Sequence, residues 1–226
     1  MQNQPKSKTF RFFVVEGIDG SGKTTLVKEL EKALPVIFDT KVISLRQPGG
    51  TEVGERIRSI LKDPSLKISE EVRFLLTEAS RNEGLAFLQA LKDSPRPEPL
   101  IALSDRHADS AWAYQTVAGF RPSLIQEVQT LYHGKPKPDI TFYIDIPVET
   151  AVARLKAPAR GSELDPYDLR GEDFFQAVKD AYEERISYAP NNYVLLKGTQ
   201  TTDDMVKTVI AWVFTNKDWL GLTVRF

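Results

Sequence analysis

Gly17-Ile18-Asp19-Gly20-Ser21-Gly22-Lys23-Thr24 satisfies the pattern G-x-x-x-x-G-K-[ST] at every specified position. Glycines let the backbone turn so that successive N–H groups point inward and cradle phosphate oxygens. The flanks meet the mechanical requirement. Phe10 to Glu16 is a β-branched and aromatic run of strand length, and Leu26, Val27, Leu30, Ala33 and Leu34 then recur at helical spacing. The helix opening at Lys23 adds its positive end to the bound anion. A chance glycine turn has no need of that context. The expected ligand is ATP, held by the loop and by Thr25, with Lys23 reaching the β- and γ-phosphates and the Thr24 hydroxyl offered to Mg²⁺.

Working outward, the alternation continues. Lys41 to Leu45 reads as a strand and Arg46 to Gly50 as a turn, with helices over about 52–61 and 69–91. Three prolines between Asp93 and Pro99 must end the second of these. Leu100 to Leu103 and Ile140 to Ile146 are buried-type strands, with helices expected over 109–117 and 123–132 between them. Glu172 to Tyr188 is helical, Tyr193 to Leu196 is a last core strand, and Thr201 to Asp204 is a capping signal for a final helix. Five strands separated by helices predict an α/β fold, a parallel sheet covered on both faces. Residues 157–171 combine glycine, proline and mixed charge without periodicity and read as a mobile lid. The expected organisation is a disordered lead-in over 1–9, one domain over 10–216 and a tail over 217–226, either a docked strand or a frayed end.

Composition narrows the chemistry. The 226 residues contain no cysteine and only two histidines, which excludes disulfides, thiolate nucleophiles and histidine-rich metal sites. A net charge of −1 argues against a nucleic-acid coat. No apolar run approaches the ~20 residues of a membrane span, and the polar N-terminus lacks a signal core, so a cytoplasmic protein is expected. The partial N-K-x-D of guanine-specific switches at Asn216-Lys217-Asp218-Trp219 ends in tryptophan and follows a helix, which makes it accidental.

Asp105 and Arg106 stand just beyond a buried strand, where an open parallel sheet faces its ligand crevice. A carboxylate there can hold Mg²⁺ or orient an acceptor, and a guanidinium can fork onto phosphate. These residues carry a resemblance. The loop 17–24, Arg46-Gln47-Pro48-Gly49-Gly50-Thr51, Asp105-Arg106-His107, Ser110-Ala111-Trp112-Ala113-Tyr114-Gln115 and the stretch Pro138 to Asp145 are similar to thymidylate kinases in order and spacing, over about 10–213. The resemblance implies a P-loop NTPase fold, transfer of the γ-phosphoryl of ATP to dTMP, Mg²⁺ and a homodimer. By matching positions it implies that Asp19 faces the acceptor, that Arg106 binds its phosphate with Asp105 near the metal, and that Arg81 reaches the base. Ser110, Ala111, Tyr114 and Gln115 would line the nucleoside pocket, and Arg46 its rim. His107 is expected to pack rather than to transfer protons.

The variable loop positions Ile18, Asp19, Gly20 and Ser21 include no base, so the cation that closes over the moving phosphoryl must come from elsewhere. Arg154, Lys156, Arg160 and Arg170 flank or lie within the lid, which resembles the family's subgroup with a lid arginine; Arg160 is the first choice and Arg154 the second. Three departures stand out: Gln47 where the family has glutamate, Pro166 where a lid arginine is common, and Thr77 where an aromatic residue stacks on thymine. Phe74 lies one turn earlier and is the candidate substitute. Thr77 leaves room for a rival reading, a kinase for another or a modified pyrimidine monophosphate. Further rivals are a deoxynucleoside kinase and a P-loop regulator that binds without turnover.

Overall fold

The computed structural model describes residues 9–157, 167 and 170–225. Five strands form one sheet: β1 (Phe10–Glu16), β2 (Lys41–Arg46), β3 (Leu100–Asp105), β4 (Ile140–Asp145) and β5 (Tyr193–Lys197). All pairings are parallel and the order is β2-β3-β1-β4-β5. The α/β expectation holds. The three central strands are buried almost throughout, whereas the edge strands β2 and β5 alternate with exposed residues. A strand covered on both faces must be apolar at successive positions, and Phe12, Phe13, Val14 and Val15 meet that requirement.

The sheet's two faces carry separate cores. On one, Phe13 and Val15 meet Leu26, Leu30 and Leu34 of α1 (Lys23–Ile37) and Met205, Val209 and Val213 of α8 (Thr202–Thr215). On the other, Phe12 and Val14 meet Leu85 and Leu88 of α3 (Glu70–Asp93). Tyr143 of β4 continues that second face, packing with α4 (Ala108–Val117), α6 (Val148–Lys156) and α7 (Glu172–Ser187). Helices α2 (Glu52–Lys62) and α5 (Pro122–Gln129) complete the set up to β4.

Two helix ends fall three residues from the sequence expectation, and the tail settles between its two alternatives. The helix expected over 123–132 ends at Gln129 and tightens into a 3₁₀ turn over Thr130–Tyr132. The helix at Lys23 runs to Ile37, carrying Pro35 in its last turn, where the Phe38 N–H still reaches the Leu34 carbonyl. The tail is docked. It forms the short helix α9 (Lys217–Leu220), turns at Gly221 with φ 66°, and returns so that Val224 bridges Phe38 antiparallel. Leu220 and Leu222 are buried there, and Arg11 Nε donates to the Leu220 carbonyl at 2.8 Å.

Because β1 lies between β3 and β4, the loop after β1 and the residues after β3 leave the sheet side by side. Val15 is in register with Asp105. That adjacency creates the crevice onto which the phosphate loop and Arg106 open.

Candidate active site

The loop between β1 and α1 is a compact turn whose glycines are used. Gly17, Gly20 and Gly22 have φ of 148°, 81° and 99°. At Gly20 a Cβ would sit 2.3 Å from the Ala151 carbonyl oxygen on α6, so no larger residue fits. Ile18 points away from the crevice into the core with Val148 and Ala151. Lys23 folds over the loop and donates to the Ile18 carbonyl at 2.8 Å, with Asp19 Oδ1 4.0 Å away. Burial, and then the Arg106 charge, depress its ammonium to about 8 from 10.5. Thr24 donates its hydroxyl to Asp105 Oδ2.

Arg106 has φ 74° and is the only non-glycine residue with positive φ among the described residues. Its Nη1 donates to the Gly17 carbonyl (3.2 Å), Ser110 Oγ (2.9 Å) and Tyr182 Oη (3.3 Å). Its Nη2 donates to Asp19 Oδ1 and to Tyr114 Oη, the latter at 3.3 Å. Tyr114 in turn donates to Asp19 Oδ2 at 2.7 Å. Burial pushes the Asp19 carboxyl up, but Arg106 and then Lys23 outweigh it and hold it well below the usual carboxylate range. Burial likewise works against the Arg106 charge, and Asp19 restores it to well above its ordinary value.

Helix α3 presents Arg73, Thr77 and Arg81 to the same crevice, one turn apart on one stripe. Arg81 is 1% exposed; its Nη1 donates to Gln47 Oε1 at 2.8 Å and its Nε to Glu78 Oε1 at 3.3 Å. Gln47 precedes Pro48 through a cis peptide bond, and its Oε1 also lies 3.3 Å from His107 Nδ1. Burial, then the charge on Arg81, hold His107 at about 3, so it packs as a neutral ring edge-on to Phe12. Gln115 is buried, and its Oε1 has no hydrogen-bond partner among the described residues.

These groups line one open cleft of about 800 Å³, within the usual range for small-molecule sites. Its walls include Lys23, Thr24, Thr25, Asp105, Arg106, Ser110, Ala111, Tyr114 and Gln115, together with Arg46, Arg81 and Arg154. Three candidates fall elsewhere or are tied to other groups. Phe74 is not on the cleft wall; it is 2% exposed and packs on Phe120 at 5.2 Å between ring centroids. Arg154 is held by backbone carbonyls, donating to Ser21 at 3.4 Å and to Gly198 at 3.0 Å. Arg46 is tied to Glu55 through Nε at 3.0 Å and through Nη2. Arg160 and most of the expected lid lie outside the described residues.

A family model described as thymidylate kinase matches residues 15–209. The chain belongs to the thymidylate kinase family. It is 36% identical over 187 residues to a protein named thymidylate kinase from Desulforudis audaxviator, covering 82% of this chain and 81% of that one. To one of the same name from Thermosipho africanus it is 35% identical over 208 residues (88% and 96%), and to one from Neisseria gonorrhoeae 30% over 209 (88% and 94%).

Within this thymidylate kinase family member, sequence reasoning missed several groups at the cleft. Arg58, Lys62 and Arg73 all reach its wall, with Arg58 donating to the Pro48 carbonyl at 2.9 Å and Arg73 to the Leu61 carbonyl at 3.1 Å. The spacing of Arg58 and Lys62 on α2, four apart on one helix face, was the available signal. Tyr182 was missed as well. It lies 76 residues from Arg106 in the chain, and nothing in its local pattern sets it apart from the other core positions of α7.

Proposed function

We propose that this chain transfers the γ-phosphoryl of ATP to dTMP, giving ADP and dTDP, with the loop 17–25 holding ATP and Arg106 facing the acceptor phosphate. A member of the thymidylate kinase family is an ATP-dependent nucleoside monophosphate kinase, and the juxtaposition that supports the assignment of roles is specific. The phosphate loop after β1 and the Asp19–Arg106 pair open onto one cleft, at the ends of two neighbouring strands. Donor and acceptor phosphates would meet between Lys23 and Arg106, two cations whose positions are set by backbone and buried side chains.

Several groups then divide the work. Lys23 neutralises charge on the transferred group, and Arg106 orients the attacking phosphate oxygen. An acceptor that is already ionised needs no strong base, which fits a site whose one buried histidine is neutral. Asp19 and Tyr114 hold Arg106 in place beside the nucleoside. Arg81 and the unpartnered Gln115 Oε1 offer a donor and an acceptor to the base edge. The donor set also fits Mg²⁺: Thr24 and Asp105 bring hard oxygens together, and no group of three or more His, Cys, Asp or Glu among the described residues would hold a metal unaided. A cation held there with the nucleotide phosphates would offset charge during transfer. Arg154, tied to the Ser21 and Gly198 carbonyls, fits a role on the ATP side, and Arg160 stays the proposed lid cation.

A coupled ADP-release assay over a panel of nucleoside monophosphates with ATP and Mg²⁺ tests the reading. dTMP should turn over fastest, and Arg106→Ala should lose most of that activity. Turnover of thymidine but not of dTMP would establish a nucleoside kinase instead. One observation keeps a second reading: Thr77 lines the cleft while Phe74 is buried away from it, so no aromatic ring of α3 lines the cleft. Faster turnover of another or a modified pyrimidine monophosphate would select that reading. Homodimerisation belongs to the same proposal, supported by the exposed Leu75 of α3 and Val53 of α2 and measurable by sedimentation. A cytoplasmic location fits the absence of cysteine, and no helix among the described residues is long and apolar enough to cross a membrane.

A further inference from the structure

Glu16, the last residue of β1, is fully buried and accepts four hydrogen bonds. Its Oε1 takes the backbone N–H groups of His107 at 2.6 Å and Ser110 at 3.1 Å. Its Oε2 takes the hydroxyls of Ser110 at 2.7 Å and Tyr182 at 2.8 Å. The two amides belong to the first turn of α4, whose N-cap residue His107 makes no side-chain cap of its own. A carboxylate from a different strand therefore caps this helix, where the helix dipole favours negative charge.

The capped turn follows directly on Arg106, and the two hydroxyls that Glu16 accepts are the two that Arg106 Nη1 donates to. Each hydroxyl thus accepts from the guanidinium and lies within hydrogen-bonding reach of the carboxylate, and the two hydroxyls are 2.7 Å apart, so guanidinium, hydroxyls and carboxylate form one connected chain of hydrogen bonds. Bonds to the charged groups at its two ends are the strong kind, and neighbours in such a network reinforce each other. It also bears on the backbone. Arg106 is held at φ 74°, a left-handed conformation that is unfavourable for an L-residue and persists only where its surroundings dictate it. The Arg106 N–H bonds to the Val15 carbonyl at 3.0 Å, and the next N–H bonds to the Glu16 side chain, so strand β1 fixes the backbone on both sides of the guanidinium.

We infer that Glu16 is a positioning residue for phosphoryl transfer: through Ser110, Tyr182 and the first turn of α4, it sets the left-handed backbone and the aim of Arg106 toward the acceptor phosphate. It touches no substrate itself. Replacing the carboxylate by an amide keeps the shape and one acceptor oxygen, but turns an N–H toward hydroxyls that already accept from Arg106. The chain would then have donors converging from both ends.

The test is Glu16→Gln, assayed beside the wild type with dTMP and with ATP as the varied substrate, and crystallised. It rests on the dTMP kinase reading, which the wild-type assay checks separately. The expected result is a rise of tenfold or more in KM for dTMP, or an equal fall in kcat, with KM for ATP within twofold of wild type. The crystal structure should show Arg106 leaving positive φ or releasing Asp19. Tyr182→Phe, which removes one of the two bridging hydroxyls, should give a smaller effect that does not add to that of Glu16→Gln. It carries the same test should Glu16→Gln fail to fold. Unchanged KM and kcat for dTMP in a folded variant, or a KM for ATP raised as much as that for dTMP, would overturn the inference. Should the wild type leave dTMP untouched, the functional reading fails, and the Arg106 geometry in the variant crystal decides the positioning claim alone.

Discussion

Lys23 gives a prediction that can be read as counted protons. Burial and the nearby Arg106 bring its ammonium to about 8, so it is partly neutral in mildly alkaline solution. The β- and γ-phosphates of MgATP would place negative charge beside it and restore the proton. Uptake on binding then equals the neutral fraction beforehand, about 0.1 proton at pH 7 and about 0.75 proton at pH 8.5 for a pKa near ~8. The nucleotide adds little at pH 8.5, because phosphate second ionisations lie near ~6. Calorimetric titration of MgATP without acceptor, in buffers of different ionisation enthalpy, measures the uptake as a slope. Lys23→Met should abolish it. Uptake at pH 8.5 no larger than at pH 7 would refute the reasoning, because the lysine would then be charged before ATP arrives. Stability without nucleotide carries the matching sign. Between about 8 and 10.5 the unfolded chain binds more protons than the folded one, so stability should rise with pH across that window.

Gly20→Ala should abolish ATP binding, detectable by the same calorimetry, because its Cβ would lie 2.3 Å from the Ala151 carbonyl at a φ of 81°; an alanine variant with native affinity would mean the loop is looser than described. Phe74→Ala should cost about 3 kcal/mol in urea denaturation yet leave the order of preference among nucleoside monophosphates unchanged, since the ring packs on Phe120. A change in base preference would return Phe74 to the pocket. Thr51→Ala removes the hydroxyl that accepts the Gly54 N–H at 3.0 Å and should lower stability by about 1 kcal/mol; an unchanged denaturation midpoint would contradict that cap.

The phosphate loop and the central strands were legible because their signals are local. Gly17 to Thr24 is a contiguous pattern, and Phe12 to Val15 must be apolar at every position wherever a strand is covered on both faces. Asp105 and Arg106 were legible from where they stand at a strand end. Phe74 was misjudged because counting one turn from Thr77 gives a neighbouring position, not a direction; residues three apart on α3 diverge enough for one to enter the core. Glu16 gave no signal, since a glutamate closing a strand looks like a solvated boundary residue. Its burial follows from Tyr182 and Ser110, which only the tertiary fold delivers. Arg58 and Arg73 stand on different helices, and only the packing of α2 on α3 brings both to the cleft.

The bond between Glu16 and Tyr182 joins positions 166 residues apart. During synthesis the nucleotide loop leaves the ribosome early, whereas the far end of this bond leaves only after most of the sheet has been made. With chains growing at roughly 5–20 residues per second, roughly 8–33 seconds separate the two. An incomplete chain could thus present a phosphate cradle without a settled Arg106, able to hold the donor and unable to orient an acceptor. The full set of bonds around Arg106 would be complete only when α7 docks and brings Tyr182 to Glu16.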